Sequence, residues 1–189
     1  MAKNSNEPTQ KAGAGGALPV DSFLYRDAAA NDLAEVVRIY NASIPGRQAT
    51  ADLEPLSVSD RSAWFQAHDA SRRPIWVVDG VGEPPSLRAW LSFSDFYGRA
   101  AYNATSELSV YVDPAAQRQG LARRLLANAL AAAPGLGIET LLGFIFDHNE
   151  PSLSLFRSFG FERWAHLPRV AKLDGVERAL VIVGLRVTP

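Results

Sequence analysis

The stretch QRQGLARRLL, from Gln117 to Leu126, places positive charge where a helix ordinarily carries negative charge. After Gly120 its leucines and alanines follow the spacing of an amphipathic helix. A helix N-terminus carries about +0.5 of an elementary charge, so its first turn favours Asp or Glu. This one instead has Arg118, Arg123 and Arg124. Either these arginines extend into water, or an anion binds at this turn.

Small residues and a preceding strand favour the anion. The segment ELSVYV (residues 107–112) reads as a strand, and Gly120 and Ala122 let the backbone approach a ligand closely. The free N–H groups of a first helical turn form a ready anion site, and arginines add charge-assisted hydrogen bonds. Solvated arginines on a surface helix remain the alternative, but the pattern Gln-x-x-Gly-x-Ala after a strand favours a di-anion such as a diphosphate.

The composition excludes several classes of protein. The 189 residues are enough for one domain with a core, and a net charge of −1 indicates neither a nucleic-acid nor a membrane partner. The absence of cysteine excludes disulfides and thiolate metal sites, and His68, His148 and His166 are too scattered for a zinc site. No apolar run approaches the roughly 20 residues of a membrane span, and the N-terminus lacks the apolar stretch of a signal peptide. A cytoplasmic protein without a metal is therefore expected.

The hydrophobic periodicities predict one domain. Residues 1–21 are rich in Gly, Ala, Asn and Lys and predict a flexible tail, which leaves residues 22–189 as the domain. Within it the predicted order is β-α-α-β-β-β-α-β-α-β-β, typical of a mixed α/β domain with one central sheet.

Turn and capping residues mark the ends of these helices and strands. Gly82 to Pro85 and Asp174-Gly175 predict hairpin turns. Ser57, followed by Asp60, and Asn149 are placed to cap helices.

Two segments together resemble the GNAT-type N-acetyltransferases. ELSVYVDPAAQRQGLARRLL (residues 107–126) resembles their acetyl-CoA-binding motif, and NEPSLSLFRSFGF (residues 149–161) resembles their second segment, Asn-x-x-Ser with an aromatic-Gly-Phe ending. The resemblance covers about residues 23–188, and within the superfamily it points to the phosphinothricin N-acetyltransferase group. It implies an α/β (α+β mixed) GNAT-like domain, with a twisted, mostly antiparallel sheet of about seven strands flanked by about four helices.

The resemblance implies acetyl-CoA as cosubstrate and assigns its contacts. Its diphosphate would bind the N–H groups of residues 117–123, and its pantetheine arm would pair with the backbone of residues 110–112 like an added strand. The residues it assigns to the cofactor are Val110, Tyr111, Val112, Gln117, Arg118, Gln119, Gly120, Leu121, Ala122, Arg123, Asn149 and Ser152. From the residues alone, Asn149 could equally be only a helix cap, and the valines only core.

The resemblance also assigns the chemistry. Acetyl transfer requires an amine that has lost its proton, and Glu107 matches the acid that serves as general base in phosphinothricin-type enzymes. A surface carboxylate at a strand end is the alternative. A backbone N–H near Ser109 or Val110 would bind the oxyanion. The chain departs from its relatives at Phe156, where many have a Tyr or His as general acid; His148 and Tyr111 could replace it, although both fit structural positions.

The acceptor would be a small amino-acid-like amine. Arg99 and Tyr102 match family positions that hold acidic groups of the substrate, and Tyr97 stands where relatives often have a Lys, so the substrate would be less anionic than phosphinothricin. These residues could also be a solvated cation and packed aromatics. Two other functions stay open, a protein or peptide N-acetyltransferase and a non-catalytic acyl-CoA-binding module. Relatives imply a homodimer by analogy alone.

Overall fold

A computed structural model describes residues 24–80 and 86–187. The predicted tail (residues 1–21) and the predicted turn at residues 82–85 lie outside this part. Within it the chain forms four α-helices and seven strands, in the order that the sequence predicts. The elements are β1 Leu24–Asp27, α1 Leu33–Ser43, α2 Val58–Gln66, β2 Ile75–Asp79, β3 Leu87–Asp95, β4 Thr105–Val112, α3 Leu121–Ala132, β5 Thr140–Phe146, α4 Glu150–Arg157, β6 Glu162–Leu173 and β7 Val176–Arg186.

The seven strands form one sheet in the order β1-β2-β3-β4-β5-β7-β6. Every neighbouring pair is antiparallel except β4 and β5, which run parallel. The predicted fold class, a mostly antiparallel sheet of seven strands with four helices, is therefore confirmed. None of the helices in the described ranges is long and apolar enough to cross a membrane.

Local signals fix the helix ends as the sequence predicts. The Ser57 side chain accepts a hydrogen bond from Asp60 N while the Asp60 carboxylate accepts one from Ser57 N, a reciprocal capping box at the start of α2. Asn149 caps α4 by accepting from Ser152 N, and Pro151 lies in the first turn, where its missing N–H costs nothing.

The two faces of the sheet bury separate cores. On one face α3 and α4 cover a cluster that includes Leu91, Phe93 and Leu125. On the other, α1 and α2 cover a smaller cluster around Trp90, which is 1% exposed and donates its indole N–H to Val36 O at 3.1 Å. The burial of apolar surface on both faces makes the sheet a rigid frame for whatever its central strands carry.

The parallel pair β4–β5 is short. Its register joins Thr105 to Thr140, Ser106 to Leu141 and Glu107 to Leu142, and ends there. Beyond Glu107, β4 continues to pair with β3 while β5 continues to pair with β7. The two central strands therefore diverge, and one backbone edge of β4 from residue 108 onward is left open.

Candidate active site

A cavity of about 760 Å³ occupies the gap where β4 and β5 diverge. Its wall joins both strands to the start of α3, to α4 and to the turn after α1. The lining residues are Ala42, Ser43, Gly46, Gln48, Ala49, Thr50, Ala51, Glu107, Leu108, Ser109, Val110, Tyr111, Val112, Gln117, Ala122, Phe144, Ile145, Phe146, Asn149, Pro151, Ser152, Leu155, Phe156 and Leu180. Seven of the twelve residues predicted to bind the cofactor, and Glu107, thus share one cavity.

Glu107 stands at the point where the strands part. Its side chain is half-buried, and burial raises the pKa of its carboxyl above the usual value of a glutamate. Within residues 24–80 and 86–187, no cation or hydrogen-bond donor offsets this burial. A carboxylate in such a setting binds a proton more readily than one in water, which is the property a general base requires.

The residues after Glu107 alternate between the two faces of β4. Leu108, Val110 and Val112 pack toward the core under α3 and α4. Tyr111 projects to the other face, stacks on Trp90 with ring centroids 4.5 Å apart, and donates its hydroxyl to Ala49 O at 3.0 Å. Burial raises the pKa of Tyr111, and its proton is already committed to a carbonyl. Tyr111 is therefore poorly placed to protonate a leaving thiolate.

The turn before α3 has the form of an anion cradle. Gly120 is the N-cap in the left-handed region (φ 78°), and the first helical hydrogen bond runs from Arg124 N to Gly120 O. The N–H groups of residues 121–123 consequently have no partner one turn earlier in the helix. Leu121 itself is 3% exposed and packs into the core, so that only its backbone faces the turn.

The arginines of this turn do not act alike. The Arg123 guanidinium donates to Ser158 Oγ at 3.1 Å and lies 5.2 Å from the centre of the Phe159 ring, so it ties α3 to the end of α4. Arg118 is exposed and has a positive φ of 63°. Five of the predicted cofactor residues lie outside the cavity wall, in or next to this turn. They are Arg118, Gln119, Gly120, Leu121 and Arg123.

Helix α4 contributes a cap and an aromatic floor. Asn149 accepts from Ser152 N and also donates its amide to Gln48 O at 3.1 Å, so one side chain serves two elements. Phe156 is 5% exposed and packs edge-to-face on Phe161, with ring centroids 4.9 Å apart. Its ring closes the cavity floor and offers no proton.

The three residues predicted to hold the acceptor do not line the cavity. Tyr97 is 76% exposed, Tyr102 is 42% exposed, and Arg99 is exposed in the turn between β3 and β4. Phe96 connects both tyrosines to the wall, since it packs on Tyr97, Tyr102 and Phe144 at ring-centroid distances of 4.4, 5.3 and 6.5 Å. An aromatic cluster thus runs outward from the cavity, and the contact of these residues with an acceptor remains a prediction.

The sequence did not identify the segment after α1 as part of the site. Gly46, Gln48, Ala49, Thr50 and Ala51 all line the cavity, and we call residues 46–51 the roof loop. This loop carries turn residues and no ionisable group other than Arg47, so composition alone gave no sign of its position. Among the described residues no cluster of His, Asp and Glu could hold a metal ion.

Comparison with known proteins identifies the family to which the chain is similar. The sequence profile of the acetyltransferase (GNAT) family matches residues 33–161. YwnH of Bacillus subtilis, whose name assigns it provisionally to the phosphinothricin acetyltransferases, is 47% identical over 153 residues, 81% of this chain and 92% of that protein. An L-methionine sulfoximine/L-methionine sulfone acetyltransferase of Pseudomonas paraeruginosa is 30% identical over 165 residues, 87% of this chain and 94% of that protein.

A solved structure of a similar protein supports the same family. That of yncA from Salmonella typhimurium with its cofactor acetyl-CoA has a TM-score of 0.81 and 28% identity, and the match covers 89% of this chain and 95% of that one. The prediction of acetyl-CoA as cosubstrate is thereby confirmed at the level of the family. Because the family profile covers well over half of the sequence and a relative of 47% identity spans most of it, the chain belongs to the GNAT family of acetyltransferases.

Proposed function

We propose that the protein transfers the acetyl group of acetyl-CoA to the primary amine of a small amino-acid-like acceptor, of the phosphinothricin, methionine sulfone or methionine sulfoximine kind. The observation that carries the proposal is the half-buried Glu107, whose carboxyl has a raised pKa, in the wall of the cavity between β4 and β5. The names of the relatives from Bacillus subtilis and Pseudomonas paraeruginosa support this substrate class.

In the proposed reaction Glu107 removes a proton from the acceptor ammonium, directly or through a water. The freed nitrogen lone pair attacks the thioester carbon, and the resulting tetrahedral oxyanion accepts a hydrogen bond from a backbone N–H near Ser109 or Val110. Collapse of this intermediate breaks the carbon–sulfur bond and releases coenzyme A as a thiolate, and the extra proton on the attacking nitrogen passes to solvent water, which leaves the neutral amide. A thiol has a pKa of about 8.5, so the thiolate leaves without a general acid, in keeping with a Phe at position 156.

The cosubstrate is proposed to lie along the open edge of β4. The unpaired backbone of residues 110–112 would receive the pantetheine arm, and the free N–H groups at the start of α3 would hold the diphosphate. Asn149 and Ser152 face the same cavity from α4. This arrangement would deliver the thioester to Glu107 from the wide end of the gap.

The acceptor is proposed to be less anionic than phosphinothricin. Among the described residues that line the cavity none is Lys or Arg, and the single charged side chain is Glu107. The amine of the acceptor would face Glu107, and its far end would extend along Phe96 toward Arg99, Tyr102 and Tyr97. A neutral sulfone or sulfoximine would cost less to desolvate there than a phosphinate.

A thiol-release assay with purified protein and acetyl-CoA tests this function. The acceptors are the L-amino acids, methionine sulfone, methionine sulfoximine, phosphinothricin and peptides with free N-termini. We expect release with the small amines, and faster release with the sulfone and sulfoximine than with phosphinothricin. Release with peptides alone would contradict the proposed acceptor class, and tight acetyl-CoA binding without release to any amine would indicate a non-catalytic module.

We propose the same boundaries, location and assembly that the sequence predicts. Residues 22–189 would form the acetyltransferase domain. The pairing of β1 with β2 from Leu24 onward supports this boundary. The protein would act in the cytoplasm as a homodimer, with no nucleic-acid or membrane partner, and sedimentation of the purified protein tests the dimer.

A further inference from the structure

The roof loop bridges the two strands that diverge around the cavity. Three consecutive carbonyl groups of this loop each accept a hydrogen bond from a side chain on the opposite wall. Arg47 O bonds to His148 Nε2 at 2.7 Å, Gln48 O to Asn149 Nδ2 at 3.1 Å, and Ala49 O to the Tyr111 hydroxyl at 3.0 Å. Tyr111 belongs to β4, and His148 and Asn149 follow β5. The loop therefore closes the gap from both sides.

Two further contacts fix the ends of the roof loop. The Arg47 guanidinium forms an ion pair with Asp174, at the β6–β7 turn, with Nε and Oδ2 2.7 Å apart. At the other end the Thr50 hydroxyl lies within hydrogen-bonding reach of the Tyr40 hydroxyl, which in turn donates to Asp52 Oδ2. Both ends are thus anchored outside the cavity, whereas the three carbonyl contacts set the height of the loop above it.

His148 differs from the other two donors because it neither caps a helix nor lines the cavity. Asn149 also caps α4, and Tyr111 also packs in the smaller core, and both line the cavity. His148 lies outside the cavity wall. Within the described residues, its side chain makes one hydrogen bond, from Nε2 to Arg47 O of the roof loop. Because a carbonyl can only accept, Nε2 carries a proton.

Packing holds the His148 ring in this orientation. The ring stacks on Phe146, with centroids 5.6 Å apart and planes inclined by 23°. Its Nδ1 is buried without a hydrogen-bond partner in the described part of the chain, 3.5 Å from Asp147 Oδ1. A half-buried, stacked ring with one donor aimed at the loop is suited to fix the position of Arg47 O.

We propose that His148 is a positioning residue for the acceptor amine, and that it acts through the roof loop without touching either substrate. The inference rests on the proposed function, because it concerns the same cavity. Loss of the His148 hydrogen bond would let the loop rise at Arg47 and Gln48 and enlarge the space opposite Glu107. The acceptor would bind less well, while acetyl-CoA, held by β4 and α3, would bind as before.

Two variants at one position test the proposal. His148→Gln keeps an amide N–H where Nε2 lies, whereas His148→Leu keeps the bulk and removes the donor. We expect His148→Leu to raise the KM of the acceptor by about tenfold, the effect of one lost hydrogen bond, to lower the melting temperature by about 2–4 °C, and to leave the KM of acetyl-CoA nearly unchanged. We expect His148→Gln to restore wild-type values. An unchanged acceptor KM in His148→Leu, an equal rise in both KM values, or a Gln variant as impaired as Leu would overturn it.

Hydrogen exchange separates this proposal from the proposed function. In the ligand-free protein we expect the amides of residues 46–51 to exchange faster in His148→Leu than in the wild type or His148→Gln, with other segments unaffected. Equal exchange in all three proteins would overturn the positioning role, whatever the activity. If the wild type acetylates no amine, the proposed function fails, and the exchange result still decides the role of His148.

Discussion

Replacement of Gly120 by alanine tests the anion cradle at the start of α3. Gly120 has φ 78° and ψ 7°, and an added Cβ would meet no atom within 4 Å. The substitution therefore introduces backbone strain without a clash inside the protein. That open space is where the diphosphate of acetyl-CoA is proposed to lie, so the new methyl group would meet the ligand and the strained turn would shift the N–H groups.

The substitution is expected to lower both the stability of the protein and its affinity for acetyl-CoA, and the two effects can be estimated separately. Alanine in the left-handed region costs about 1–2 kcal/mol in stability, and in a chain of this size 1 kcal/mol lowers the melting temperature by about 2–4 °C. Loss of one charge-assisted hydrogen bond to the diphosphate costs about 1.5–3 kcal/mol, or about ten- to a hundredfold in affinity. The loss of stability is expected for any glycine with a similar positive φ, whereas the loss of acetyl-CoA affinity is expected only next to the proposed diphosphate site, at Gly120.

Gly137 offers a matched control. It has φ 69° at the end of the turn after α3, an added Cβ there would also meet nothing within 4 Å, and it lies outside the cavity wall. We expect Gly120→Ala and Gly137→Ala to melt at similarly lowered temperatures, and only Gly120→Ala to weaken acetyl-CoA in a calorimetric titration. Equal acetyl-CoA affinity in the two variants would refute the cradle.

Three other outcomes follow from the same geometry. Glu107→Gln should reduce thiol release by about a hundredfold or more while the dissociation constant of acetyl-CoA stays unchanged, because it removes the base and no cofactor contact; a parallel loss of binding would indicate a structural role. Because burial raises the folded-state pKa of Glu107 above its unfolded value, its contribution to stability is greatest at acid pH and is lost as the pH rises through the folded pKa. Glu107→Gln should therefore melt at a higher temperature than the wild type at neutral pH, an advantage that disappears in acid, and an advantage independent of pH would contradict the assignment. Gly143→Ala should cost about 1–3 kcal/mol, measured by denaturant unfolding, because its methyl would lie 2.9 Å from Phe156 Cε1 and 3.0 Å from Val183 Cγ2 in a packed core; wild-type stability would show that these side chains move freely.

Local signals in the sequence were enough to predict the elements and one wall of the site. Alternating apolar residues, the capping residues Ser57 and Asn149, and the Asp174-Gly175 turn each act over a few positions, so their structural effect can be read from the chain. The motif around Gly120 likewise combines a strand, a turn and a helix within twenty residues. The order of elements follows from such short-range patterns, whereas the predicted cofactor residues come from the resemblance of two segments to the GNAT family.

Long-range features could not be read in this way. The roof loop closes the cavity through the carbonyl groups of Arg47, Gln48 and Ala49, and every residue has a carbonyl, so no residue type marks this role. The Arg123 guanidinium lies on Ser158 and Phe159, which are 35 and 36 positions away, and the predicted contact of Arg123 with the cofactor stays a prediction. Only the packing of α3 against α4 brings these groups together.

The central claim is that Glu107 takes the proton from an amine inside this cavity. The most direct measurement is the rate of thiol release from acetyl-CoA, with and without saturating L-methionine sulfone, in the wild type and in Glu107→Gln. The claim predicts acceptor-dependent release by the wild type and its loss in the variant, with acetyl-CoA still bound. Release that is equal in the two proteins, or that does not depend on the amine, would contradict it.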